Sequence, residues 1–285
     1  MNLLKSIFIS SFVSWLAFVS IYAITQLARG MEPLLSWLGL ALAAVAPLAF
    51  FIKAFLFKSP RTPRHPIEYS ILSGMGLAIT MAMSYRYGDA AGIMHIWAFL
   101  TLLFWLIYLR WYSVFKGRDA KALSVGSSLP EFQLESMDSH TVSSESFMAK
   151  PHLLLFYRGN WCPFCTAQIA ELATAWKRLE ALGVTIILIS PQSVKKNLQL
   201  AAKFDVPMFF LRDRNNEAAK KLGIVHKWGT PMGMQVLGYD SDTVLPTVII
   251  TNAQGKIVFS DQTDNYRVRP EPEVFEKLIT KSLEV

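Results

Sequence analysis

Four apolar runs within the first 115 residues constrain this chain more than any other feature. Residues 7–27, 34–57, 69–85 and 92–114 are scarcely interrupted by charge, and each approaches the roughly 20 helical residues that cover a hydrocarbon core of about 30 Å. The run at 69–85 is the shortest. The first lacks the small-residue cleavage site of a signal peptide and is followed by three more, so it reads as a retained helix. Charge supports this division. Residues 1–118 hold ten Lys/Arg against three Asp/Glu and residues 119–285 hold eighteen of each, which places the whole net charge of +7 in the N-terminal part. A nucleic-acid-binding chain would carry its basic surplus on the folded polar part, so no nucleic-acid partner is expected.

The basic residues also give an orientation. If four helices alternate in direction, Lys5, Lys53, Lys58, Arg61, Arg64, Arg110, Lys116, Arg118 and Lys121 share one side, with only Arg29 and Arg86 on the other. Lys/Arg-rich loops stay cytoplasmic. The expectation is an all-α four-helix transmembrane domain, residues 1–118, multi-pass in an inner or plasma membrane with the lipid bilayer as partner. It is followed by a cytoplasmic domain, residues 119–285. Trp15, Trp37, Trp97, Trp105 and Trp111 read as lipid-contacting or interfacial residues, and Gly74, Gly76 and Ala78 as a small-residue packing face. No cysteine lies in the apolar runs, which closes a transmembrane thiol relay for this chain alone.

Beyond residue 125 the pattern changes to short elements. Residues 152–157 and 184–190 are apolar runs of strand length on either side of a helical stretch at 163–182, a βαβ unit. A helix at 193–204, a strand at 208–211, a helix at 215–222, a hairpin of 247–251 with 256–259 and a last helix at 272–282 follow. Residues 129–142 supply an extra N-terminal hairpin. Strands alternating with helices predict an α/β domain with a mixed central sheet flanked by helices. Residues 226–243 lack periodicity and read as an inserted loop near the site or a plain surface excursion.

Only two cysteines occur, Cys162 and Cys165, two residues apart at the end of a buried strand and the start of a helix. A cysteine at a helix mouth meets unpaired backbone N–H groups and the positive end of the helix dipole, which favour the thiolate. Cys162 is therefore the expected nucleophile. Pro163 fits the first helical turn, and Cys165, one turn on, is placed to resolve a mixed disulfide at Cys162. Half a zinc site is the alternative, but no second ligand pair is spaced for it, so no metal or organic cofactor is expected. Arg158 reads equally as a solvated turn residue or a charge that tunes the dithiol. Trp161 reads as both core and rim of the site.

Trp161-Cys162-Pro163-Phe164-Cys165 on a strand-to-helix turn, with Leu245-Pro246-Thr247 entering a later strand, resembles the thioredoxin superfamily. Leu129-Pro130-Glu131-Phe132, Phe156-Tyr157-Arg158-Gly159, Glu171-Leu172 and the turn at 252–255 resemble more specifically the peroxiredoxin-like alkyl hydroperoxide reductase/thiol-specific antioxidant (redoxin) family. The resemblance covers residues 125–282 and none of the apolar half. It implies a thioredoxin-like fold, a redox-active disulfide between Cys162 and Cys165, and a cis Pro246 facing the dithiol. Two departures stand out: Gly159 occupies the place where the family has Thr or Ser, and Leu245 the place near which it brings in an arginine. Arg158, without a buried acid beneath the dithiol, is expected to lower the Cys162 pKa. Arg267 and Arg269 read as surface salt-bridge residues.

These features lead to a membrane-anchored thiol:disulfide oxidoreductase acting on a protein disulfide and re-reduced by a cytosolic thiol reductant. The alternatives are a thiol peroxidase reducing hydroperoxides, with Cys162 peroxidatic and Cys165 resolving, and a non-enzymatic membrane redox sensor. Oligomeric state is not legible.

Overall fold

In the computed structural model, residues 2–57, 59–88, 92–118, 121–147 and 149–283 are described. Lys58, one of the orienting charges, and the expected boundary at residue 119 lie outside the described residues. The chain forms two compact units: residues Ile7–Phe57 with Thr62–Val114, and Met1–Ser6 with Lys58–Arg61 and Phe115–Val285.

The first unit is helical. Helices α1 (Asn2–Ala28), α2 (Leu34–Leu56), α3 (Ile67–Tyr87) and α4 (Met94–Ile107), the last extended by a π-turn at Tyr108–Tyr112, follow the four apolar runs. All four are long and apolar enough to cross a membrane. Gly76 seats α3 on α2: a Cβ there would stand 2.5 Å from the Gly39 carbonyl oxygen and the Ala43 nitrogen. Gly74, by contrast, faces open space. Small residues thus let two backbones meet, and Ser73 Oγ donates across the same contact to the Ala43 carbonyl at 3.0 Å. Trp105 departs from the lipid-contact reading. It is fully buried and donates from Nε1 to Ser70 Oγ at 2.9 Å, because an indole N–H inside a helical bundle needs an acceptor. The outer surface is apolar, with Ile21, Ile24, Phe55, Leu56, Ile71 and Phe99 all exposed.

The second unit is an α/β domain. Its strands are β1 (Gln133–Glu135), β2 (Thr141–Ser143), β3 (His152–Phe156), β4 (Thr185–Ser190), β5 (Phe209–Arg212), β6 (Val225–His226), β7 (Thr243–Val244), β8 (Thr247–Thr251) and β9 (Ile257–Asp261). Helices α5 (Pro163–Ala181), α6 (Val194–Ala201), α7 (Glu217–Lys221) and α8 (Pro272–Leu283) join them. Seven strands form one mixed sheet in the order β2-β1-β5-β4-β3-β8-β9, with β3, β4 and β5 parallel and β8 and β9 antiparallel to their neighbours. β6 and β7 pair separately. β3, β4 and β8 are central, and β3 and β8 are buried along their whole length, which is why they read as continuous apolar runs. Phe132, Leu154, Phe156, Ile187, Leu211 and Ile249 lie in the core cluster that holds the sheet's layers together. β3 therefore delivers its C-terminal end, and the turn into α5, from the most rigid part of the domain.

Candidate active site

Tyr157 extends β3 by one step, its N–H donating to the Ile189 carbonyl at 2.9 Å. The chain then reverses through Arg158–Trp161. Gly159 adopts φ +146°, a region L side chains avoid, and a Cβ there would lie 2.7 Å from Trp161 Nε1. The position where relatives of the motif carry Thr or Ser is thus glycine for backbone and steric reasons. Cys162 occupies the N-cap of α5 with extended dihedrals (φ −89°, ψ 111°), and Pro163 starts the helix. The Cys162 carbonyl accepts from the N–H groups of Cys165 at 3.0 Å and Thr166 at 3.1 Å. Cys165 consequently stands one turn deeper, as its spacing implies.

Both thiols are free and almost wholly enclosed, Cys162 at 1% and Cys165 at 0% exposure. Against them lies Arg269. Its Nη2 donates to Cys165 Sγ at 3.4 Å, Nη1 to Gln168 Oε1 at 2.7 Å and Nε to the Tyr266 carbonyl at 3.0 Å. This overturns the surface reading of the Arg267 and Arg269 segment: Arg267 is fully buried and Arg269 nearly so. Long-range hydrogen bonds pull Arg269 inward, and the sulfur gives its charge a counterpart.

The pair shares its ionisation unequally. Burial pushes the Cys162 thiol well above the ordinary 9.0, helped by its hydrogen bond to Cys165, with Arg269 and Arg158 opposing. At Cys165, burial is outweighed by the hydrogen bond from Cys162 and the charge of Arg269, and the thiol falls well below 9.0. Arg269 therefore favours the anion on Cys165 over Cys162, where the helix-mouth argument and Arg158 place it. A helix terminus supplies partial charges, whereas Arg269 supplies a whole one in hydrogen-bond contact.

Arg158 is likewise not solvated. Its guanidinium stacks over Trp161, 4.7 Å from the ring centroid, and over Tyr266 at 5.6 Å, and it donates to the Gly229 carbonyl. Thr243 Oγ1 closes the contact by donating to the Arg158 carbonyl at 2.8 Å. The segment between β6 and β7 is therefore a wall of the site, and Tyr239 Oη donates to Asn160 Oδ1 from it. Together they border a small, open cleft lined by Arg158, Trp161, Gln192, Arg212, Thr230 and Tyr239, among others. Beneath it, Tyr157 Oη donates to Asn197 Oδ1 at 2.6 Å and accepts from Gln192 Nε2 at 3.2 Å. Burial pushes the Tyr157 phenol upward, so it stays neutral. His226 is held down at about 3 by burial and by neighbouring Arg158, Lys5 and Arg118, and it adds no charge at neutral pH.

Pro246 corrects another expectation. Glu32–Pro33 is the one cis peptide among the described residues, so the Leu245–Pro246 bond is trans. The segment is pinned in extended form: Leu245 N donates to the Ile224 carbonyl at 2.8 Å, and Arg118 Nη2 donates to the Pro246 carbonyl and to Thr247 Oγ1, each at 2.5 Å. Arg118 thus brings an arginine to this strand from a sequence position the motif does not predict. Arg61 is a second arginine in an unforeseen place. It makes a bidentate pair with Glu171 on α5, at 2.9 and 2.5 Å, and donates to the carbonyls of Arg269 and Pro270. Sequence reasoning counted both only as topological charges.

Residues 125–260 match the AhpC/TSA family. Over 124 residues the chain is 31% identical to the chloroplastic peroxiredoxin Q of Triticum aestivum, covering 43% of this chain and 57% of that one. Over 136 residues it is 29% identical to peroxiredoxin bcp of Haemophilus influenzae, covering 48% and 84%. The chain therefore spans less than two thirds of the plant relative's length. Among solved structures, peroxidoxin BcpB of Mycobacterium tuberculosis aligns with a TM-score of 0.46 at 16% identity, over 56% of this chain and 97% of that one.

Proposed function

We propose, from the premise that residues 125–260 form a peroxiredoxin-like domain of the thioredoxin superfamily, that this chain is a membrane-anchored thiol peroxidase with Cys162 peroxidatic and Cys165 resolving. The observation that carries the reading is the enclosure of an arginine-compensated dithiol. A nucleophile that attacks protein disulfides must reach a partner's surface. Cys162, at 1% exposure and within the field of Arg158, suits a small hydroperoxide better. This reverses the order of the two enzymatic readings drawn from the sequence.

The chemistry runs through a shared proton. Cys162 passes its proton to the Cys165 thiolate as it attacks the outer peroxide oxygen. The O–O bond breaks, the alkoxide leaves and takes a proton from solvent, and Cys162 becomes a sulfenic acid. The buried cations of Arg158 and Arg269 stabilise the negative charge as it moves. The Cys165 thiol then attacks the Cys162 sulfur, forming the disulfide and releasing water. A cytosolic dithiol returns two electrons by exchange. Trp161 holds Arg158 in place by stacking, and Pro246 lends its carbonyl to Arg118.

A test uses the full chain in liposomes. Hydroperoxide consumption with kcat/KM on the order of 10⁴ M⁻¹ s⁻¹ or above, alongside slow insulin reduction, is expected. Fast insulin reduction with negligible peroxide turnover would instead establish the thiol:disulfide oxidoreductase, a reading that Gly159, lacking a hydroxyl to orient a peroxide, favours. Slowness in both assays would favour the sensor.

Four apolar helices with an apolar outer surface support anchoring, and the Lys/Arg asymmetry supports a cytoplasmic dithiol. In intact cells an impermeant maleimide should leave the cysteines unmodified and label them after lysis under mild denaturation. Modification from outside would place the domain on the opposite face.

A further inference from the structure

The segment joining β6 to β7 carries an unusual set of exposed side chains. Trp228 and Met232 are about half exposed, Leu237 is 61% and Val236 is 89% exposed. A soluble surface seldom clusters four such residues in ten positions. Their backbone is not loose. Trp228 N donates to Asp242 Oδ1 at 2.8 Å, and Lys196 Nζ donates to the Leu237 carbonyl at 2.6 Å. The segment's acids, Asp240 and Asp242, line the cleft, while Lys227 beside Trp228 is exposed. One face is thus apolar and basic, and the other closes the site.

A second observation fixes where that face lies. Ser6 Oγ donates to the Thr230 carbonyl at 2.6 Å, and Met232 N donates to the Ser6 carbonyl at 3.2 Å. Ser6 and this segment belong to the same compact unit. Ser6 is also part of α1, whose 27 residues extend about 40 Å at 1.5 Å each, roughly 10 Å more than a hydrocarbon core. That excess is about seven residues, and the apolar run begins at Ile7. Ser6 therefore stands at headgroup depth, and two hydrogen bonds hold Thr230 and Met232 beside it.

We propose that residues 228–237 rest on the lipid surface, with Trp228, Met232, Val236 and Leu237 dipped into the headgroup region, so that the cleft bordered by Arg158 and Trp161 opens along the bilayer. Tryptophan beside lysine is the composition that settles at such an interface. The consequence is a site that receives substrate held at the membrane surface. The inference rests on α1 spanning the bilayer, and its test separates the two.

An environment-sensitive dye is attached through p-azidophenylalanine at three positions of the full chain in nanodiscs: Val236, Ile21 on the outer face of α1, and Gln254 in the β8–β9 turn. Dye at 236 should lose most of its emission to headgroup-level nitroxide lipid and little to aqueous iodide. Dye at 254 should behave in the opposite way, and dye at 21 should respond to deep nitroxide lipid. If 21 responds but 236 matches 254, the docking fails while the span stands. If 236 is shielded from both quenchers, protein covers it and the proposal is wrong. If 21 fails to respond to lipid, the span and the docking fall together.

Discussion

Replacing Cys162 by serine is expected to lower peroxide turnover by on the order of 10³-fold or more, since the nucleophile has no substitute in the site. The informative comparison is with Cys165→Ser. That variant should still form one sulfenic acid per chain on Cys162, detectable by a sulfenate-trapping dione, and then stop. It should also shift Cys162 itself. In the native pair, burial first, then the hydrogen bond to Cys165 and the charge there, raise Cys162, while Arg269 and Arg158 lower it. Removing the Cys165 anion therefore lets the arginines act on Cys162, and its alkylation should begin at lower pH than in the native protein. Because Arg269 favours the anion on Cys165, the same two variants test the reverse assignment. One sulfenic acid per chain in Cys162→Ser, with none in Cys165→Ser, would exchange the two roles.

How much of this was legible in the sequence follows from distance along the chain. β3, α5 and β4 form a local βαβ unit, so periodicity located them within a residue or two, and the turn into α5 placed both cysteines. β6 and β7 are two residues each, too short to show any period, which left the wall of the site reading as a featureless loop. The arginines were misplaced for a different reason. A charged side chain is exposed by default, and only a partner far away in sequence overrides that default. Arg269 meets Cys165 across 104 positions, Arg61 meets Glu171 across 110 and Arg118 meets the Pro246 carbonyl across 128. The Tyr266–Arg269 stretch did carry a signal, two arginines beside an aromatic in an otherwise short connection, but nothing local tells a buried arginine from a surface one. The trans Pro246 belongs with these, since the hydrogen bonds that pin it come from Arg118 and from the residues flanking β6.

Arg269→Met should have the second largest effect, and its signature is a change in pH dependence together with a loss of stability. Removing one member of a buried charge pair typically costs about 3–5 kcal/mol, and Gln168 Oε1 would lose its donor as well. The sign of the pH effect follows from the two thiols. Cys165, depressed in the folded state, contributes stability that is fully present above the unfolded value of 9.0 and lost as pH falls through its folded pKa. Cys162, raised in the folded state, contributes stability that is present below 9.0 and lost as pH rises through its folded pKa. The reduced native protein should therefore gain stability from this pair as pH rises toward about 9 and lose it beyond. In Arg269→Met the rising limb should flatten, and the ultraviolet absorbance of the thiolate should appear at higher pH. The disulfide has no anion for Arg269 to stabilise, so the substitution weakens the reduced form more than the oxidised one. The reduction potential should then move to more negative values, by about 30 mV for each unit by which the Cys165 pKa rises. Arg269→Lys, which keeps the charge without the planar fork, should recover part of the shift. An unchanged potential in a destabilised Arg269→Met variant would reduce Arg269 to a packing residue and leave the Cys165 anion to be explained by Cys162 alone.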